Sequence, residues 1–82
     1  MPWNLWIEGK VTDVTAKAAA FAPTGLNATE NSQVTAAKAA AASLLALVPG
    51  ATCRLIMHGQ ANAASGSYPG QHHCEIVVTS QP

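Results

Sequence analysis

Four side chains in this 82-residue chain could do chemistry together: His58, His72, His73 and Cys74. Imidazole and thiolate bind zinc or copper, and imidazole also carries protons near neutral pH. When Ala51 to Gly59 and His72 to Ser80 are read as two paired strands, His58 falls opposite His73 with Cβ atoms about 5 Å apart, while His72 and Cys74 turn to the other face. A third ligand is lacking. Glu75 is diagonal to the pair and nearer Arg54, and structural zinc sites use four ligands. His58 and His73 are therefore a candidate pH-sensitive or metal pair, repelling one another when both are protonated. No bound metal or other cofactor is expected.

Other chemistry finds less support. General acid–base or nucleophilic catalysis needs a pocket, a nucleophile and a group that orients the base. Ser65 and Ser67 lie in a loop without a Gly-x-Ser-x-Gly elbow. The four acids Glu8, Asp13, Glu30 and Glu75 are scattered, and Glu8 and Glu75 read as partners for Lys10 and Arg54. Gly59 to Gly70 contains glycines but lacks the Gly-Lys-Ser/Thr ending of a phosphate loop. The chain is not expected to be an enzyme. Cys53 and Cys74 are too few and too far apart for a disulfide scaffold or a Cys-x-x-Cys site, and read as free, buried thiols.

Composition narrows the partners. Four Lys and Arg against four Asp and Glu give zero formal charge, and so few cations neutralise few phosphates. A single outward aromatic, Trp6, beside Lys10 and Arg54 is also too little for a base-stacking surface. Nucleic acid is not expected to bind. No run reaches the roughly 18 apolar residues of a membrane span: Ala36 to Val48 is broken by Lys38 and Ser43. With an alternating rather than apolar amino terminus, the chain reads as one small cytoplasmic domain without a membrane partner. Its hydrophobic fraction of 49% includes 17 alanines, so the core is thin.

The elements that position these residues follow from periodicity. Pro2 to Val11 alternates in period two, with Trp3, Leu5, Ile7 and Val11 inward and Asn4, Trp6, Glu8 and Lys10 outward. Thr12 stands as an N-cap for a short helix from about Asp13 to Ala22, carrying Val14, Ala18 and Phe21. A second helix starts at Asn31 or Ser32 and ends at Pro49-Gly50, with Val34, Ala37, Ala41, Leu44, Leu45 and Val48 in one stripe. Gln60 to Gln71 is a long hairpin loop. Pairing Met57 with Cys74, Leu55 with Ile76 and Cys53 with Val78 gathers six apolar groups, and a one-residue slip would scatter them. The predicted fold is α+β in the order β-α-α-β-β, with two helices on one face of a three-stranded, mainly antiparallel sheet. The first strand is expected beside the third, its direction open.

The outer face of that sheet carries Arg54, Ile56 and His58 beside Val77, Glu75 and His73, with Trp6 on the first strand. An exposed tryptophan near Ile56 and Val77, flanked by Arg54 and Glu75, is the kind of patch that marks a protein interface. The leading expectation is a non-enzymatic protein–protein interaction module. Packing of this face on a second copy would set Trp6, Ile56 and Val77 against their symmetry mates, so a homo-oligomer is expected. The alternative is a small metal- or ligand-binding protein using His58 and His73.

Three stretches carry a resemblance: Trp3-Asn4-Leu5-Trp6-Ile7-Glu8-Gly9, the alanine-rich Ala36 to Ala42, and Leu55-Ile56-Met57-His58-Gly59 before a Gly/Ser loop. In layout and composition the chain resembles small accessory proteins encoded by bacteriophages of high-GC actinobacteria. That group offers no motif with a known role, so no functional residue is carried over. The resemblance implies a protein of the bacterial host's cytoplasm that acts on a host or phage partner.

Overall fold

The computed structural model describes residues 2–60 and 71–82. Its order is β1 (Trp3–Lys10), α1 (Val11–Ala20), α2 (Ala28–Leu45), β2 (Thr52–Gln60) and β3 (Gln71–Ser80), an α+β fold whose two helices contact a three-stranded antiparallel sheet. Among the described residues no helix is long and apolar enough to cross a membrane.

The β2–β3 register is the one that buries the apolar groups: Met57 faces Cys74, Leu55 faces Ile76 and Cys53 faces Val78. A bulge between Thr52 and Cys53 leaves Thr79 as the extra residue, and its hydroxyl donates to the Thr52 carbonyl at 3.1 Å. The strand order, however, is β1-β2-β3, so the first strand lies beside the second and not the third. The physical reason is where the helices deliver the chain. Lys10 pairs with Thr52, so the helical pair returns the chain to the end of the sheet where β1 stopped, and β2 runs back antiparallel beside it. The central strand is then the most buried, with Cys53, Leu55 and Met57 all fully enclosed.

Both helices begin earlier than the sequence patterns suggest. α1 follows β1 with no residue between: Gly9, at a φ of 154° that suits glycine, and Lys10 both still pair with β2, and the Val11 amide donates to the Ala51 carbonyl at 2.9 Å. Lys10 occupies the N-cap position without a side-chain cap, and Thr12 lies inside the helix. The helix stops at Ala20, two residues short of Ala22, and Phe21 leaves it in extended geometry ahead of Pro23. Phe21 packs its ring 6.1 Å from that of Trp3.

α2 starts after Asn27, not at Asn31 or Ser32. The Asn27 side chain accepts the Glu30 amide at 2.8 Å and Glu30 Oε1 accepts the Asn27 amide at 3.2 Å, a reciprocal capping box. Its buried stripe is Glu30, Gln33, Val34, Ala37, Ala41 and Leu45, with Leu44 and Val48 only half-buried. Alanines at 37 and 41 let the helix lie close to the sheet, as their small side chains predict.

Lys38, off that stripe, has a structural task. Its Nζ donates to the carbonyls of Ala19 at 2.9 Å and Phe21 at 2.8 Å, capping the carboxyl end of α1 from α2. A cation there also opposes the negative end of the helix dipole. Lys38→Met should cost about 1 kcal/mol and lower the melting temperature by roughly 4–8 °C for a domain of this size. Thermal unfolding followed by circular dichroism checks it, and an unchanged midpoint would show that water replaces the cap at no loss.

Candidate functional site

With both helices on the inner face, the outer face of the sheet carries no other described element, and the strand registers set its residues in rows. Asn4, His58 and His73 form one row; Trp6, Ile56 and Glu75 the next; then Glu8, Arg54 and Val77; and finally Lys10, Thr52 and Ser80. Period-two alternation in three strands sets the first three rows, and the bulge brings Ser80 into the fourth.

Trp6 is 70% exposed and faces half-buried Ile56 directly. Beside them is a notch of about 340 Å³ lined by Asn4, Leu5, Trp6, Ile56, Met57 and His58. The Arg54 guanidinium lies 5.9 Å from the centre of the Trp6 ring and donates to Glu8 Oε1 at 3.4 Å. Both contacts are solvent-exposed and individually weak. Their effect is to hold Arg54 alongside the tryptophan. Val77 is exposed too, but it stands one row further on and two strands from Trp6, with Arg54 between them. The apolar centre is therefore the facing pair Trp6 and Ile56, with Val77 diagonal to Ile56 across β2 and β3.

The ion partners differ from the expected ones. Glu8 pairs with Arg54 rather than Lys10, because Glu8 and Arg54 are directly opposite across β1 and β2. Glu75 pairs with His73 on its own strand, at 2.9 Å from Nε2, and not with Arg54. Since an ionised carboxylate can only accept, His73 Nε2 carries the hydrogen in that bond. His58 and His73 do face each other, their ring centroids 5.3 Å apart and their planes at 39°. Among the described residues no three His, Cys, Asp or Glu side chains converge as metal ligands. The pair thus has no completing ligand within the described fold.

Cys53 is buried, Cys74 is half-buried rather than fully so, and both are free thiols. Burial pushes both thiol pKa values up, which favours the neutral thiol over the nucleophilic thiolate. Ser65 and Ser67 lie outside the described residues. Asp13 sits exposed in the first turn of α1, while Glu30 is enclosed in the α2 cap, so the acids are dispersed as expected.

Asn4, Leu5 and Met57 also line the notch, though sequence alternation does not single them out. Leu5 and Met57 belong to the inner row, and they reach the notch only because it opens between β1 and β2, a pairing the periodicity does not reveal. The chain matches no protein-family model, no curated protein and no solved structure.

Proposed function

We propose that the protein is a non-enzymatic interaction module that docks a folded protein partner on the outer face of its sheet. The observation that carries this reading is Trp6, 70% exposed in one row with Ile56 and beside an apolar notch. Tryptophan anchors seated against a pocket dominate binding energy at protein interfaces, ringed by polar groups that exclude water. Here the ring contains Glu8, Lys10 and Arg54 along one side and His58, His73 and Glu75 along the other.

Charge favours a protein over other partners. Lys10 and Arg54 are offset by Glu8 and Glu75 on the same face, so neither a phosphate backbone nor an anionic membrane gains from approaching it. A protein surface of mixed charge with an apolar cavity or ridge suits it. The resemblance to phage accessory proteins adds that this partner belongs to a phage or its bacterial host.

Trp6→Asp tests the reading, since so exposed a residue can change with little effect on folding, within about 1 kcal/mol. Wild-type protein should retain a partner from bacterial lysate that the variant releases. Titrating that partner into labelled protein should shift amide resonances in the rows of Trp6 and Arg54. Equal retention by the variant, shifts confined to the helices, or no partner at all would overturn it.

A further inference from the structure

We infer that β3 is a docking edge for a second copy of this chain, which pairs β3 with β3 antiparallel about a two-fold axis at Ile76 and extends the sheet to six strands. β1 and β3 are the two edges of the sheet, and an edge strand presents unpaired N–H and C=O groups to any further strand. The β1 edge is guarded by Pro2, which precedes it and cannot donate, and by Lys10 at its end. Among the described residues β3 has no such guard. Its ten residues include no proline, lysine or arginine, and its one carboxylate, Glu75, points to the outer face. The bulge that interrupts its pairing lies at its far end, beside Thr52.

The inner row of β3 is also incompletely covered. Cys74, Ile76 and Val78 pack against the core yet stay half-buried, whereas their partners Met57, Leu55 and Cys53 are fully enclosed. α2 lies over β2 and β3, and Lys38 marks the side of it that faces α1. At about 100° per residue, Ala36, Ala40 and Leu44 fall on the opposite side, toward the β3 edge. Two alanines and a half-buried leucine make a low ridge against which a second α2 can pack at the usual 8–10 Å.

Self-match decides the occupant. About Ile76, the inner row pairs Ile76 with Ile76 of the second copy and Cys74 with its Val78, and the outer row pairs Glu75 with Val77. Residues 74–78 are all used, the bulge at Thr79 ends the regular pairing, and no like charges face one another. Centring the pair on Glu75 would instead oppose two carboxylates. The formal net charge of zero removes any overall repulsion between copies.

Sedimentation equilibrium of the full chain at high micromolar concentration should give twice the monomer mass, and Trp6→Asp should leave that mass unchanged, because the outer face takes no part. Glu75→Cys with Val77→Cys, in a Cys74→Ala background, should form a covalent dimer under oxidised glutathione, while neither single cysteine does. A monomeric mass overturns the inference. So does a dimer that the cysteine pair fails to trap, or one that Trp6→Asp dissolves, which would assign self-association to the outer face.

Discussion

Gly59→Ala is expected to destabilise the protein by about 3 kcal/mol, lowering the melting temperature by roughly 12–24 °C in a domain of this size. A Cβ at this position would stand 2.9 Å from each of three atoms: Trp3 Cζ2, His72 Cβ and Gln33 Oε1. One of these is a buried indole ring, another is fixed to the backbone of β3, and the third is held by hydrogen bonds. None can retreat alone. Gly59 is therefore glycine because β1, α2 and β3 converge on it, and not because its backbone needs an unusual φ. Trp3→Phe removes the Cζ2 atom, so Gly59→Ala should cost less in that background than in wild type. Denaturant unfolding of the four proteins measures the coupling. A cost below about 1 kcal/mol for the single change would mean that the contact relaxes, and the convergence would lose its energetic weight.

Gln33→Leu is the second large effect, expected at about 2 kcal/mol. Gln33 is buried in α2, where its Oε1 accepts from Trp3 Nε1 at 3.0 Å and its Nε2 donates to the Gln60 carbonyl at 3.0 Å. One amide thus ties the helix to β1 and to the end of β2. Leucine fills similar space but leaves the buried indole N–H without that acceptor, which costs more than the bond itself contributes. Because removal of both partners is cheaper than removal of one, Gln33→Leu combined with Trp3→Phe should be less damaging than the sum of the two. Additive losses in urea unfolding would show that the pair is not coupled.

The sheet register is readable because pairing Met57 with Cys74 matches all three apolar pairs: a one-residue slip would scatter them, and a two-residue slip would leave an apolar residue of each strand without its partner. Strand order was not readable, since alternation says which side a residue faces and nothing about which strand lies beside it. The misplaced helix starts have two causes. For α2, Asn27-x-x-Glu30 is a capping-box pattern visible in the chain, overshadowed by polar Asn31 and Ser32 further on. For α1, Thr12 has the right chemistry for a cap, but burial of Val11 draws the helix two residues earlier. Glu30 and Gln33 fall at helical spacing with Val34 and Ala37, yet polarity disguised them as surface. At the outer face, side-chain direction was legible, and so was the opposition of His58 and His73. The partners of Arg54 and Glu75 were not, because they depend on which strand stands next to β2 and on rotamers.

The junction at Lys10 and Val11 leaves the chain no slack. A residue inserted or deleted between the end of β1 and Val14 would turn α1 by about 100° relative to the sheet. Val11, Val14 and Ala18, all buried, could not then stay over the core together. The Val11 amide, bonded to Ala51, would lose its place at the same time. Length here is thus as constrained as residue identity elsewhere: the strand and helix are in fixed phase. Chain growth is more readily absorbed between Phe21 and Asn27, where added residues change neither helix's phase.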